Sequence, residues 1–459
     1  MNLPAPLLKP GFHDHELLPD FIPFDEKRLE PIRRLKVVLL YLPHPYLRQP
    51  DAQVPIGILY LAALLEQAHV DVEVRNYSKW NTWQAIEDLP RADVYGITVT
   101  SLELKQANRF AHLVKEKIER CVVVLGGPGT FCDSFVDWSV IDSICKGDGE
   151  IALFHMLEDY CSGELKKSYA LPPVEELNAL PLPARHFLGE NQGGNVFAFN
   201  RQYNGANSTV LITSRGCPYR CAFCSSPFFS NNRVRFRRPE NVLEEMESVI
   251  KNFGIRQFRF SDDMFLADPK RVFRLCELIG PLGVAWRIST RVKPMNESLY
   301  RAMFEAGCKE VSFGVESFDE EVLRALKKGT TPEENARALE VCRRIGLDTR
   351  VLFMIGTPGQ SERTVPKNIE WLNRVPYTII CCTSFVPIPG SDIWNNPEAY
   401  NIEILNRNLD DYNFYFFGSR GENPLRGIVK IKNRSLEEFS AETEDFRNFL
   451  KETGKLNEG

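Results

Sequence analysis

Short apolar runs of strand length recur along this chain with helix-length segments between them, and they do so in two separate series. That alternation constrains the fold more than any other feature, because strands joined through helices lie parallel and are covered on both faces. In the first series the strands are 36–43 (KVVLLYLP), 70–77, 92–101, 121–129 and 141–150. Between them, IGILYLAALLEQ at 56–67 follows Pro55 as a strongly apolar helix, a second helix runs to about Arg120, and 151–160 forms a third. This predicts a doubly wound parallel sheet over 36–160. A ligand of such a sheet lies beyond the carboxyl ends of the strands. Those ends carry Pro43-His44-Pro45, Thr98 to Ser101, Gly126 to Gly129 and Gly147 to Glu150.

The second series has strands at 209–215, 256–263, 284–291, 310–316, 349–356 and 378–387, with helices at 240–252, 269–280, 296–306, 319–328, 333–345 and 361–373. Six β/α units in line predict a curved parallel sheet, a full or partial barrel, over 209–390. Strand parity gives its lining. Arg259, Ser261 and Asp263 share one face against Phe258 and Phe260; Arg287, Ser289 and Arg291 oppose Trp286 and Ile288; Glu310, Ser312 and Glu316 oppose Val311, Phe313 and Val315. The apolar faces meet the outer helices and leave a polar interior. A lumen filled only for stability would be rich in Val, Ile and Leu, so this one is expected to hold a polar ligand. Around the two units lie a Pro-rich arm without periodicity at 1–35, a connector at 161–208, and an extension at 391–459 with one amphipathic helix near 434–453.

Lys and Arg number 56 against 61 Asp and Glu, a net charge of −5. This balance argues against nucleic acid or an anionic membrane as partner, since both select clustered positive charge. No apolar run reaches the ~18–20 residues of a membrane span, and the N-terminal segment has no secretory-signal pattern. Twelve cysteines in 459 residues are too few for a disulfide scaffold and read as reduced thiols plus metal ligands in the cytoplasm.

The sharpest motif is SRGCPYRCAFCSSP at 214–227, which places Cys217, Cys221 and Cys224 in a C-x3-C-x2-C spacing on the loop leaving the first barrel strand. Three soft thiolates on one loop suit three irons of a cubane cluster and leave the fourth iron open. Structural zinc would need a fourth Cys or His nearby, and the sequence offers none there. With Phe223 ahead of the third cysteine, GVES at 314–317 and MIGTPG at 354–359, the chain over roughly 209–390 resembles the radical S-adenosylmethionine (radical SAM) superfamily. The resemblance implies a [4Fe-4S] cluster whose open iron chelates SAM. One-electron reduction then cleaves SAM to a 5′-deoxyadenosyl radical that abstracts hydrogen from an unactivated carbon, with flavodoxin or ferredoxin as the electron donor. It also implies that Phe223 flanks the adenine, that Asp262 or Asp263 meets the SAM ammonium, that Ser289, Arg291 and Glu316 serve the ribose and methionine groups, and that Ile355 and Gly356 lie along the adenine.

The 36–160 unit, joined to the barrel by a linker reading LPLPARHFL at 180–188, is similar to the cobalamin-binding domain of cobalamin-dependent radical SAM enzymes, through PIGILYLAALL, GITVTS, GGPG and KGDGE. The fold expected is therefore α/β: an N-terminal Rossmann-like doubly wound parallel sheet followed by a radical SAM (β/α)6 partial TIM barrel. Thr98, Thr100, Ser101, Gly126 and Gly127 could cradle the nucleotide tail of a corrin. The sequence departs from the family in lacking D-x-H-x-x-G and in having Gly129 where many relatives place a His after GGP. A Rossmann-like domain that keeps the architecture without corrin stays open, and the bulky loop 44–53 would suit it.

Weaker features are the basic run RVRFRRPE at 233–240, read as a support for the cluster loop, a phosphate footprint or a solvated face; Cys381-Cys382, one of which faces the lumen; His13-Asp14-His15; and Cys121, Cys145, Cys161, Cys276, Cys308 and Cys342, read as core. The leading reading is a cobalamin-dependent radical SAM methyltransferase acting on a small molecule. The alternatives are a corrin-independent radical dehydratase, epimerase or C–C bond-forming enzyme, and a non-catalytic cluster or corrin sensor.

Overall fold

The computed structural model describes residues 21–43, 54–189, 207–416, 428–432 and 434–456. The N-terminal part contains one parallel six-stranded sheet. Its strands are β1 (Lys36–Tyr41), β2 (Asp71–Asn76), β3 (Val94–Thr98), β4 (Val122–Gly126), β5 (Ser143–Cys145) and β6 (Ser168–Tyr169), in the order β2-β1-β3-β4-β5-β6. The order reverses between β1 and β3, which makes the carboxyl ends of those two strands the switch point where such folds hold ligands. Both faces are covered. Val37 and Leu39 pack with the Ile56–Gln67 helix on one side, and Val38 and Leu40 pack with Phe110 and Val114 of the Leu104–Lys117 helix on the other.

Three elements here depart from the sequence reading. The arm is not wholly irregular: Glu26–Ile32 is a helix, begun by Asp25, whose carboxylate accepts the Arg28 N–H at 3.1 Å, and anchored by buried Leu29 and Ile32. A helix at Thr82–Asp88, started by a reciprocal Asn81/Gln84 capping box, fills the gap between β2 and β3. The connector supplies β6, a strand of two residues that is too short to leave a hydrophobic pattern. The residues His13-Asp14-His15 and the loop 44–53 lie outside the described residues.

The second sheet is also parallel and six-stranded. It is built from β7 (Thr209–Leu211), β10 (Gln257–Phe260), β11 (Ala285–Thr290), β12 (Cys308–Glu316), β13 (Asp348–Ile355) and β14 (Ile379–Ser384), paired in sequence order. The expected strand 209–215 is split. After β7 the chain turns, and β8 (Ser214–Arg215) pairs antiparallel with β9 (Arg235–Phe236), outside the barrel. The parity holds: Phe258, Phe260, Trp286, Ile288, Val311 and Phe313 are fully buried against the outer helices. The helix Leu436–Glu452 docks Phe446 and Leu450 into that same core, and Ile380 of β14 bonds the Lys455 carbonyl at 2.9 Å. The tail thus covers the last strand, whose outer edge would otherwise lie bare. Among the described residues no helix is long and apolar enough to cross a membrane.

Candidate functional site

Cys217, Cys221 and Cys224 sit together on the loop after β8, each partly accessible. Gly216 makes the entry turn. Its φ is +100°, and a Cβ there would lie 2.1 Å from the Arg233 carbonyl oxygen, so only glycine fits. The two aspartates that follow β10 hold the loop from behind. Asp262 is buried and accepts the Thr213 N–H at 2.7 Å, the Ser214 hydroxyl at 2.6 Å and the Thr213 hydroxyl. Burial pushes its carboxyl up, against the opposing pull of those bonds. Asp263 accepts the Gly216 N–H at 3.0 Å and the Ser226 hydroxyl, which joins the two ends of the cysteine loop.

The sulfurs are not neutral bystanders to charge. Arg291 donates from Nη1 to Cys221 Sγ at 2.8 Å, bonds the Lys328 carbonyl, and lies 3.9 Å from the centre of the Tyr219 ring. Burial pushes the Cys224 thiol up to about 11, and burial also raises Cys217. Among the described residues no three His, Cys, Asp or Glu side chains gather about a point that one metal ion could fill. A tetrahedral zinc site needs every sulfur about 2.3 Å from one centre and a fourth ligand. A cubane takes each thiolate on a separate iron, and a loop of three cysteines on a Gly turn, with a guanidinium over one sulfur, fits that requirement.

The other residues singled out from the sequence fall around this loop in different ways. Phe223 is partly exposed, with the Lys328 ammonium 5.6 Å from its ring centre. Ser289 faces the lumen beside Ser312 in register. Glu316, at φ +67°, is buried in an ion pair with Lys328 at 2.9 Å, and Gly314 leaves the space for it, since a Cβ there would meet both partners within 2.7 Å. Ile355 turns its side chain into the outer core, so it offers the lumen only backbone, and the Gly356 N–H is already given to Gln360 Oε1 at 2.8 Å. Sequence reasoning missed Lys328, Tyr219, Thr213 and Ser214, which carry no spacing signal. Cys382 packs on the outer core and Cys381 lies toward lumenal Arg287. Cys161, expected in the core, is exposed.

The basic run is spent on joining the two sheets and is not a free footprint. Arg235 pairs with Asp148 at 2.8 Å and bonds the Val174 carbonyl at 2.6 Å; Arg233 pairs with Glu175 at 3.0 Å. Arg215, two residues before Cys217, pairs with Glu150 at 2.8 Å and Asp148 at 3.0 Å. Burial pushes the Asp148 carboxyl up, but Arg215 and Arg235 outweigh it and hold it below the usual value. Deeper still, Glu245 binds Arg185 at 2.6 Å and Arg237, which also meets the Tyr60 hydroxyl at 3.1 Å. KGDGE and LPLPARHFL are therefore the seams between the N-terminal sheet and the cluster loop.

The carboxyl edge of the N-terminal sheet faces the same loop. Phe131 packs against Phe228 and Phe229, with ring centres 5.2 and 4.8 Å apart. Along that edge Gly126 and Gly147 have nothing within 4 Å of where a Cβ would lie, Thr100 is exposed and Thr98 partly so, while Ser101 is buried. Gly127 and Gly129 instead pack on the β3 turn, Gly129 so tightly that a Cβ would lie 2.5 Å from the Thr100 carbonyl oxygen. No His could stand there without moving that turn, which accounts for the departure after GGP. The open glycines and hydroxyls fit the nucleotide tail of a corrin.

Residues 211–372 match the radical SAM superfamily, and residues 51–156 match the B12 binding domain. An uncharacterized methyltransferase of Pyrococcus horikoshii is 28% identical over 84% of this chain and 85% of its own. The anaerobic magnesium-protoporphyrin IX monomethyl ester cyclase of Rubrivivax gelatinosus is 26% identical over 81% of this chain and 71% of its own. In fold, the chain is similar to the radical SAM methyltransferase TsrM of Kitasatospora setae with cobalamin and a [4Fe-4S] cluster bound, with a TM-score of 0.67, 17% identity and coverage of 92% and 90% of the two chains.

Proposed function

Since this chain belongs to the radical SAM superfamily and carries a B12-binding domain ahead of its barrel, we propose that it is a cobalamin-dependent radical SAM methyltransferase that acts on an unreactive carbon of a small molecule. The observation that carries the reading is the seam itself: Arg215 ties the cluster loop to Asp148 and Glu150, so the loop is held beside the carboxyl edge of the N-terminal sheet. The division into 36–160, 161–208, 209–390 and 391–459 belongs to the same proposal; the two separate six-stranded sheets support it, except that β6 carries the N-terminal sheet past residue 160.

When bound, the [4Fe-4S] cluster with SAM supplies a 5′-deoxyadenosyl radical by one-electron cleavage, and cobalamin supplies a methyl carrier. The protein's part is position and charge. Cys217, Cys221 and Cys224 hold the cluster. Arg291 stabilises negative charge on the Cys221 sulfur and stacks on Tyr219, which fixes its guanidinium. Asp262 and Asp263 keep the loop in place through Thr213, Ser214, Gly216 and Ser226. The Glu316–Lys328 pair presents a carboxylate to the lumen beside the loop, suited to a ribose or an ammonium, while Phe223 offers an aromatic face for the adenine. On the other side, Thr98, Thr100, Gly126 and Gly147 supply hydroxyls and open backbone for the corrin tail. A small reducing protein such as a flavodoxin or ferredoxin would deliver the electron.

The test is anaerobic incubation of the protein with SAM and dithionite, following 5′-deoxyadenosine. The wild type forms it and Cys221→Ala does not; formation by the variant would overturn the radical reading.

A further inference from the structure

Below the level of the cluster loop, the polar lumen expected from parity is dominated by arginine. Arg259 of β10, Arg287 of β11 and Arg350 of β13 face one another across the barrel. Glu310 of β12 answers two of them, at 3.3 Å from Arg287 and 3.0 Å from Arg350. Asp348 stands beside Glu310 in register and takes the Thr378 hydroxyl at 3.1 Å. Glu310 is thus shared between two of the three guanidiniums. Arg259 makes no ion pair among the described residues, Glu310 acting on it only at longer range, and the Nε atoms of Arg259 and Arg287 are buried without a hydrogen-bond partner. Arg287 is only 6% exposed. Burial and the neighbouring Arg350 and Arg259 push its pKa well down. Such an excess of buried like charge is costly unless an anion joins it.

Above this layer the lumen wall is made of small or accessible side chains: Ser289 beside Ser312, and Leu352 beside Cys381, in adjacent register. Leu352, Met354, Cys381 and Thr383 keep solvent access, which residues of a filled barrel would not. Arg287 lies three residues below the end of β11 at Thr290, with Arg259 beside it in register, about 10 Å at ~3.3 Å per residue. SAM held at the cluster loop would therefore leave this layer unused.

We propose that the substrate is an elongated molecule with a carboxylate or phosphoryl group at one end, and that this anion is received at the foot of the lumen by Arg259 and Arg287. The inference rests on the reading of the barrel as an active site, and it adds the substrate class. Geometry favours a molecule that spans on the order of 10 Å between its anion and the carbon presented to the strand ends.

The test needs no turnover, so its failure is separable from failure of the radical reading. Thermal unfolding of the anaerobically purified full chain is followed against inorganic phosphate and, separately, acetate, with ionic strength held constant by sodium chloride. The wild type should gain a saturable rise in Tm of about 2–4 °C with one of these anions. Phosphate alone would mark a phosphoryl group, and acetate a carboxylate. Arg259→Met should start at or above the wild-type Tm, because it removes an unmatched charge, and should show no rise; Arg259→Lys should keep part of it. No saturable rise in the wild type with either anion, or an equal rise in Arg259→Met, would overturn the inference. So would an Arg259→Met variant that unfolds well below the wild type, which would assign the arginine to the fold.

Discussion

Arg291 reaches across from the end of the third barrel strand and donates to the sulfur of Cys221 at 2.8 Å. The contact joins two residues 70 positions apart in the chain, and it sets an electrostatic condition at the metal site. Hydrogen bonds to a ligating sulfur favour the more negative, reduced cluster, and removing one withdraws that support. Arg291→Met should therefore keep its iron but lower the cluster potential by on the order of tens of millivolts, as read by an EPR-monitored redox titration. An unchanged potential would show that the guanidinium leaves the sulfur once the cluster is in place.

Gly216 makes a sharper structural prediction. Its positive φ and the Arg233 carbonyl 2.1 Å from a Cβ leave no relaxed solution for Ala, because the obstructing atom is backbone. Gly216→Ala should retain far-UV circular dichroism but bind well under half of the wild-type iron after reconstitution, at a local cost of about 1–3 kcal/mol. Full iron uptake would mean that the loop re-forms around a different turn.

Protonation couples to the same loop. Burial raises the thiols of Cys217 and Cys224, the latter to about 11, so the empty site holds protons that iron must displace. Cluster retention against a chelator should strengthen from pH 7 to pH 9. Retention that is flat over this range would mean that the thiolates are already formed without metal.

The seam between the sheets responds on the acid side. Asp148 is held below its usual value by Arg215 and Arg235, against the effect of its own burial. A carboxyl lowered in this way adds stability above its unfolded value near pH 4, and that stability is lost as the pH falls through the lower folded value. Asp148→Asn should lower the urea midpoint at pH 7 and show a shallower decline than the wild type between pH 5 and 3.

Glu245 is the deepest part of this seam, shared by Arg185 and Arg237 and almost fully buried. Glu245→Ala leaves two buried guanidiniums without their common partner and should cost about 3–5 kcal/mol. Urea unfolding measures this directly. A loss below about 1 kcal/mol would indicate that the pocket admits water.

Much of this was legible in the chain. The six barrel strands fell within a few residues of their expected places because each carries both a period of two and a helix-length partner. The cysteine loop was legible from spacing alone. What was not legible depended on partners distant in sequence. Asp262 gave no sign that it would be saturated by Thr213 and Ser214, 49 and 48 positions away. The basic run at 233–240 read equally well as a footprint or a solvated face, because its acids, Asp148, Glu175 and Glu245, lie in other elements. Local pattern fixes which face a side chain takes, whereas its partner is set by the docking of two sheets.

The most direct test of the account is metal analysis with a visible spectrum, on protein purified without oxygen and offered hydroxocobalamin and iron with sulfide. The account predicts about four irons and near-stoichiometric cobalt in the same chain. Four irons with no retained cobalt would contradict it, leaving the N-terminal sheet as a scaffold and the radical chemistry without a corrin.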